Sequence, residues 1–481
     1  MITDKTKKYI FLSVAFISIV LFIFWLAYNP VKHFNASIPG LDHRPEHKPD
    51  TVTTVNIGEK FIFIKDHTSS LKGKWPNFRG ADFDNINKEE IALIDQFGKD
   101  GPDIVWRLGL GEGHASAAIY NGKVYILDYN EAKKTDVLKC LILETGEELW
   151  RRSYKVNIKR NHGISRTIPA VNDLYVVTIG PKGHVMCVSS DKGDFLWGID
   201  LEKAYGTEIP YWNTGQCPLI DNNVAVIAPG GKSLMIGVDC RTGKVIWETP
   251  NKGKWKMSHS SVMPMTYAGK KMYVYAAIGG ICGVEAEGKN AGEILWESKA
   301  VDANVIAPSP LVLDDGNIFV TAGYGFGAVI LKLIPDGDHF SAEIRQKYGP
   351  TEGICSEQQT PLFYKGSIFA ILPKDAGSNR NQFVCCEPKD GKIFRWTSGK
   401  ATRFGLGPYL FADNKFYILD DEGNLTIAEA DRSKFKALSR TKILDGQDAW
   451  GPLALADGFL IMRDSKEMLC INIRTQNDIK K

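Results

Sequence analysis

Seven polar or aromatic residues recur at comparable places along the chain, each just ahead of a strand-like apolar run. Two are arginines and two are histidines, a combination suited to an anionic small molecule or an acidic peptide. A calcium ion would instead require several carboxylate and amide oxygens, and Glu357 is the one acid directly adjacent to any of these residues in the sequence. The seven candidates are His114, Arg166, Gln216, His259, Gln358, Arg403 and Trp450.

We expect these positions to be polar chiefly because solvent reaches them, and we assign no catalytic, cofactor-binding or metal-ligating residue. An alternative is a sensor that binds a small anion through Arg166 and Arg403. The sequence contains no GxSxG or HExxH motif. The glycine-rich GYGFG of residues 323–327 lies between two strand-like runs, so it is predicted to be a turn rather than a phosphate-binding loop.

The nine cysteines are an odd number and lie mostly in apolar, strand-like runs, which argues against a disulfide framework. Cys385 and Cys386 are adjacent. Cys140, Cys187 and Cys385 each stand six residues before a turn glycine, so this position of a repeat takes a small apolar side chain. We therefore predict that the adjacent cysteines pack in the core.

The elements that carry these residues repeat along the chain. A tryptophan ends each of the copies TGEELW, KGDFLW, TGKVIW and AGEILW and the looser DGKIFRW, at spacings of 47, 50, 49 and 100 residues. The glycine supplies the positive φ of a tight hairpin, and the tryptophan is expected to pack between neighbouring sheets. The repeat residues are Gly146, Trp150, Gly193, Trp197, Gly243, Trp247, Gly292, Trp296, Gly391 and Trp396.

A second marker opens each repeat: Ala117 in the first copy and a proline in seven later ones, at steps of about 48 residues. Each repeat divides into four short strands. One such sheet cannot bury both of its apolar faces, so the repeats must stack. The sequence predicts an all-β propeller of eight four-stranded antiparallel blades over residues 103–475. Residues 103–110 are expected to complete the last blade as its outer strand and so close the ring.

Residues 10–28 form an uncharged run of nineteen residues, nearly long enough at about 1.5 Å per residue to span a bilayer core as a transmembrane anchor. Lysines at positions 5, 7 and 8 place residues 1–9 in the cytoplasm. A cleaved signal peptide is the alternative. Residues 29–102 are predicted to be a linker and pre-propeller segment, and residues 476–481 a C-terminal tail. We expect a single-pass protein of a bacterial cytoplasmic membrane, with the propeller in the periplasm or outside.

The formal net charge of the chain is +3. Proteins that bind nucleic acid usually carry a broad basic field. We therefore expect no nucleic-acid partner.

The copies VLKCLILETGEELW, HVMCVSSDKGDFLW and LMIGVDCRTGKVIW resemble the pyrroloquinoline-quinone (PQQ)-type β-propeller repeat. WPNFRGADFDN, at residues 75–85, resembles an element that precedes the propeller in some exported members. The family includes quinoprotein alcohol dehydrogenases. It also includes the propeller lipoprotein of the outer-membrane β-barrel assembly machinery, a scaffold without a cofactor, and this chain is nearest to it in character.

The resemblance implies two functions. The favoured one is a non-catalytic scaffold that binds protein partners through propeller loops and holds no cofactor. The alternative is a dehydrogenase that oxidises an alcohol or a sugar with PQQ and Ca²⁺. Such enzymes use an aspartate base and often a disulfide between adjacent cysteines over the cofactor. The packing position of Cys385 and the shortage of acids favour the scaffold.

Overall fold

The computed structural model describes residues 3–28, 55–388 and 394–475, so the linker between 29 and 54, Gly391 and the tail 476–481 lie outside the described residues. The described residues of the N-terminal unit form one helix, α1 (Asp4–Ala27), whose first turn is capped by the Thr3 hydroxyl. This helix is long and apolar enough to cross a membrane by length and composition, a property that a signal sequence shares. It begins six residues before the predicted anchor, because the cap of Thr3 draws the N-terminal lysines into the helix.

The unit that starts at Val55 is confirmed as an eight-bladed propeller of antiparallel sheets. Four strands precede the first repeat: β1 (Lys60–Phe63), β2 (Lys74–Trp75), β3 (Ile86–Asn87) and β4 (Asp103–Gly109). The first four blades contain β5 (Ala117–Tyr120), β6 (Lys123–Asn130), β7 (Thr135–Ile142), β8 (Glu148–Lys155); β9 (Ala170–Val171), β10 (Tyr175–Ile179), β11 (His184–Ser189), β12 (Phe195–Asp200); β13 (Leu219–Asp221), β14 (Val224–Ile227), β15 (Ser233–Asp239), β16 (Val245–Pro250); and β17 (Met263–Tyr267), β18 (Lys270–Ala277), β19 (Gly280–Glu285), β20 (Ile294–Ser298).

The last four blades repeat this order of strands. Helical turns occur in a few of the connections: the short helix α2 (Leu201–Tyr205) follows blade 2, and 3-10 turns occur at Asp314–Gly316 and Gly377–Asn379. The strands are β21 (Leu311–Val312), β22 (Asn317–Ala322), β23 (Gly327–Asp336), β24 (His339–Tyr348); β25 (Leu362–Tyr364), β26 (Ser367–Ile371), β27 (Phe383–Cys386), β28 (Trp396–Thr397); β29 (Tyr409–Ala412), β30 (Lys415–Leu419), β31 (Asn424–Glu429), β32 (Ala437–Lys442); and β33 (Ala454–Ala456), β34 (Phe459–Arg463), β35 (Glu467–Asn472).

Blade 8 is completed by the N-terminal strand β4, as predicted. It pairs antiparallel with β35, and Trp106 lies opposite Cys470. A second link crosses the same junction, because the buried Arg463 guanidinium donates to the carbonyl oxygens of Ala115 (2.9 Å) and Gly111 (3.2 Å). The two ends of the propeller are therefore joined by a sheet and by side-chain hydrogen bonds, which removes two exposed sheet edges.

Neighbouring blades meet through a tryptophan and a glycine. A Cβ added to Gly146, Gly193 or Gly243 would lie 2.6–2.7 Å from the indole of the preceding blade, that of Trp106, Trp150 or Trp197 in turn. All three glycines have φ near +70°. The glycine is thus needed for two separate reasons: the left-handed backbone and the closeness of the ring.

Each tryptophan also faces a small residue across its own sheet. Cys140 pairs with Trp150, Cys187 with Trp197, and Cys385 with Trp396. Glycine takes this place in blades 3 and 4, opposite Trp247 and Trp296. In blade 3 the indole of Trp247 leaves no room even for a Cβ atom, since a Cβ on Gly237 would lie 2.1 Å from the ring.

The two blades without this tryptophan show the complementary change. In blade 5, Gln346 stands in the tryptophan position, and its cross-strand partner is the larger Ile330. In blade 7, Ser439 stands there and faces Ile427. The partner is therefore larger where the residue opposite is smaller than tryptophan, as close packing requires.

The segment between β2 and β3 crosses the ring. The carbonyl of Pro76 accepts from Val171 N in blade 2 (2.9 Å), and Arg79 donates to the carbonyls of Thr360 (2.9 Å) and Pro361 (3.0 Å) in blade 6. Blades 2 and 6 are diametrically opposed in a ring of eight. We call residues 75–87 the crossing segment; it ends in β3, which pairs parallel with β29 of blade 7.

Candidate functional site

The inner strands surround a cavity of about 320 Å³, to which Phe78 of the crossing segment contributes. A chain of hydroxyl groups fixes the connections that enter these strands. Ser261 Oγ accepts from Cys217 N (2.9 Å), Ser309 Oγ accepts from Ser261 N (2.9 Å), and Thr360 Oγ1 accepts from Ser309 N (2.8 Å). Each bond joins one blade to the next, so residues that precede the inner strands are held in fixed positions around the cavity.

One wall of the cavity is built from two histidines and a tryptophan. The rings of His114 and Trp450 are stacked, with centroids 4.9 Å apart, and the ring of His162 lies 5.1 Å from that of Trp450. Burial, followed by the positive charges of Arg166 and Arg463, lowers the pKa of His114 to about 3. His114 is therefore neutral at physiological pH.

A second wall consists of Trp212, His259 and Tyr324. The rings of Trp212 and Tyr324 are stacked with centroids 6.2 Å apart, and Trp212 lies at the same distance from His259. Burial and, to a smaller extent, the charge of Arg166 together lower the pKa of His259 to about 4. Tyr324 comes from the GYGFG segment, which forms the turn between β22 and β23 as predicted.

Arg166 supplies one of the two positive charges of the site, and Lys374 supplies the other. Its guanidinium donates to the backbone carbonyls of His162 and Gly163 (3.4 Å), and its Nε has no hydrogen-bond partner within the described residues. Burial lowers the pKa of Arg166 to about 10, so the group remains charged at neutral pH. Neither of its partners carries a negative charge.

The remaining side of the cavity is acidic and amide-bearing. Burial raises the pKa of Glu357, and the nearby Lys374 has the opposite effect on it. Gln358 and Gln359 adjoin Glu357 in the lining. Gln359 Nε2 donates to the carbonyl of Trp450 (2.9 Å), which joins this side to the first wall.

The structure places five of the seven sequence candidates around the cavity, namely His114, Arg166, His259, Gln358 and Trp450. Gln216 is not in the lining, because its side chain is buried against Ala228, with which it exchanges two hydrogen bonds. Arg403 is also outside it and forms ion pairs with Asp421 (2.5 Å) and Glu422 (3.2 Å). Arg166 and Arg403 therefore do not line the same cavity.

The cavity does not match the donor set of a PQQ and Ca²⁺ site. Glu357 is the single carboxylate among the described residues that line it, whereas calcium takes six to eight oxygen ligands. Cys385 and Cys386 are both free and buried. They point to opposite faces of blade 6, into different clusters: Cys385 packs with Trp396 and Cys386 with Cys355. Neither thiol reaches the cavity lining.

The fold is that of the PQQ-like β-propellers. Among solved structures, the chain is similar to BamB from Moraxella catarrhalis (TM-score 0.52, 11% identity, covering 76% of this chain and 97% of that one). It is also similar to a europium-containing methanol dehydrogenase (0.55, 11%, 83% and 89%) and to the quinohemoprotein alcohol dehydrogenase from Comamonas testosteroni (0.55, 10%, 83% and 80%). At these identities the likeness concerns the fold alone.

Residues 133–397 match the family model described as outer membrane protein assembly factor BamB. This match spans more than half of the chain, so the protein belongs to that family. No curated protein matches the chain by sequence.

Proposed function

We propose that the protein is a membrane-anchored, extracytoplasmic scaffold that binds another protein and has no catalytic role. The family's description as an assembly factor supports a role in protein association. The mismatch between the cavity and a PQQ and Ca²⁺ site argues in the same direction. The helix α1 would hold the propeller at the bilayer.

The observation that carries the proposal is an apolar free edge on blade 1. Strand β1 adds to the outside of this blade by pairing with β8, and among the described residues it is the last strand of its sheet. Ile62, Phe63 and Ile64 are 38%, 54% and 46% exposed. A sheet edge with exposed apolar side chains and unpaired backbone groups is suited to pairing with a strand of a partner protein.

The scaffold proposal is tested by placing a photo-crosslinking amino acid at position 63 in cells. Position 344 on β24 is a matched control, because Ile344 is 50% exposed on the outer strand of the opposite blade but stands between the charged residues Glu343 and Arg345. We expect one discrete protein adduct from position 63 and none from position 344. The adduct should disappear when Ile62 and Ile64 are replaced by lysine, since charges on an edge strand prevent strand addition.

A second assay addresses the dehydrogenase alternative. The purified protein is mixed with PQQ and Ca²⁺, and cofactor absorbance and alcohol-dependent dye reduction are followed. Saturable PQQ binding with turnover would overturn the scaffold proposal. In the crosslinking assay, adducts of equal yield at positions 63 and 344 would contradict the role proposed for β1.

The proposed location is tested by fractionation. The full-length chain should remain with membranes after washing in high salt and alkaline carbonate, because an apolar helix of this length inserts through the hydrophobic effect. Protease added outside the cytoplasmic membrane should degrade the propeller. Release of the intact propeller by salt, or its protection inside the cytoplasm, would contradict the anchored topology.

A further inference from the structure

The cavity holds a cation that has no anionic partner. Arg166 bonds only to two backbone carbonyls, and within the described residues no carboxylate lies within ion-pair distance of it. The buried Arg79 and Arg463 each donate to backbone carbonyls from all three guanidinium nitrogens. Arg166 differs from them because its Nε is buried and unpaired beside an open cavity.

A second residue with an unpaired donor lines the same cavity. The Trp450 indole N–H is buried without a hydrogen-bond partner, although Trp450 is stacked on His114. Buried N–H groups without partners are uncommon in folded proteins, and each is costly. The two unpaired donors, one of them on a cation, are complementary to an oxyanion.

The charge of the lining limits the charge of a ligand. His114 and His259 are neutral at pH 7, because burial lowers the pKa of each. Arg166 and Lys374 contribute two positive charges and Glu357 one negative charge, which leaves a net charge of +1. A ligand with one negative charge neutralises this net charge, whereas a ligand with several negative charges would be repelled by the carboxylate of Glu357.

The walls favour a flat ligand. Stacked aromatic pairs stand on two sides, His114 with Trp450 and Trp212 with Tyr324. Rings of this kind bind planar π-systems by stacking. The volume of about 320 Å³ lies at the small end of the range for ligand pockets, which sets the size at one or two fused rings.

We propose that the central cavity binds an aromatic carboxylate with a single negative charge, held by Arg166 and by the indole N–H of Trp450. This inference is independent of the scaffold function, because it concerns the cavity and makes no use of β1. The proposed ligand also differs from the cofactor of PQQ-binding propellers, since PQQ carries three carboxyl groups.

The test is titration of the full-length protein with benzoate and indole-3-acetate, followed by isothermal calorimetry and tryptophan fluorescence. Indole-3-acetamide is the neutral isostere, cyclohexanecarboxylate the non-aromatic acid, and PQQ the multiply charged acid. We expect saturable binding of at least one aromatic acid below about 10 mM. The amide and the cyclohexane acid should bind at least about tenfold more weakly, because each lacks either the charge or the ring.

Variants locate the site. Arg166→Gln should weaken binding of the acid by at least about tenfold, since charge-assisted hydrogen bonds are lost. Arg166→Lys, which keeps the charge, should retain more affinity than Arg166→Gln. Arg403→Gln is the matched control, because it removes an arginine from the corresponding repeat position outside the cavity, and it should leave the affinity unchanged. Far-UV circular dichroism and melting without ligand verify that each variant is folded.

Several results would overturn the proposal. One is the absence of saturation by either aromatic acid with the wild-type protein. Others are equal affinity for the acid and its amide, an equal loss in Arg166→Gln and Arg403→Gln, or tighter binding of PQQ than of the monocarboxylates.

Discussion

Replacing Gly146 with alanine should weaken the closure of the ring at one defined contact. Gly146 has φ +70°, and its new Cβ would lie 2.6 Å from Cγ of Trp106. An alanine in the left-handed region costs about 1–2 kcal/mol. The indole must also move from a buried site where its Nε1 donates to the Leu143 carbonyl (2.8 Å), which adds about 1–2 kcal/mol. The expected loss is about 2–4 kcal/mol.

A matched glycine separates the two contributions. Gly269 has φ +77° and no atom within 4 Å of an added Cβ, so Gly269→Ala should show the backbone cost alone. A double-mutant cycle with Trp106→Ala measures the cost of the contact with the indole independently. Once the indole is gone, Gly146→Ala should destabilise the protein no more than Gly269→Ala does.

The assays are urea unfolding followed by circular dichroism, and amide hydrogen exchange. Gly146→Ala should increase exchange of the paired strands β4 and β35, whereas Gly269→Ala should leave their protection unchanged. Equal destabilisation by the two alanines, with unchanged exchange at the ring junction, would refute the role given to the Trp106–Gly146 contact.

Three further outcomes are expected. Arg79→Met should destabilise the propeller by about 3 kcal/mol or more, because several carbonyls lose their donor; chymotrypsin, which cleaves after aromatic residues such as Phe78 and Phe83, should then cut the crossing segment faster, whereas wild-type cleavage rates would refute its anchoring. All nine cysteines should resist DTNB in the native protein at pH 8 and react in urea, since burial raises the pKa of Cys385 to about 11 and of Cys386 to about 12; rapid native labelling would contradict their burial. Burial raises the pKa of Asp136 from 3.8 to about 7, so the folded protein binds more protons than the unfolded chain between these values, and this group's contribution to stability falls as pH rises from about 4 to 7. Asp136→Asn should therefore gain urea resistance over the wild type at pH 8 relative to pH 5, and a constant difference would exclude the assignment.

Most of the fold could be predicted because one physical requirement recurs in most of the blades. The pairing of Gly146 and Gly193 with tryptophans of preceding blades sets a fixed distance in sequence, and this distance is visible without a structure. The same logic explains the interval of 100 residues between Trp296 and Trp396. In blade 5 the larger Ile330 fills the space opposite Gln346, so the core is kept while the sequence signal is lost.

The cavity could be predicted only in part. His114, Arg166 and His259 stand at fixed places before inner strands, and the repeat period locates them. Trp212 and Tyr324 lie on connections whose lengths do not follow the repeat, so no periodic signal marks them as cavity residues. The aromatic residues of YWN at 211–213 and of GYGFG are the sequence signal that could have indicated these two cavity residues.

Gln216 and Arg403 show the limit of positional reasoning. Both occupy the expected place before an inner strand, yet local partners decide where their side chains lie. The Gln216 side chain forms hydrogen bonds with the backbone of Ala228, and Arg403 forms ion pairs with the acids at 421 and 422. The period gives the position of the backbone; the direction of a side chain depends on its neighbours.

The crossing segment imposes an order on folding. Its residues leave the ribosome early, but their hydrogen-bond partners, among them Thr360 and Leu455, belong to blades 6 and 8. Asn87 Nδ2 reaches the Leu455 carbonyl (2.8 Å) across 368 positions of sequence. Contacts of such long range form slowly. The native ring therefore cannot be completed until nearly the whole chain has been synthesised, and a nascent chain arrested before blade 8 would keep its first strands without their final partners.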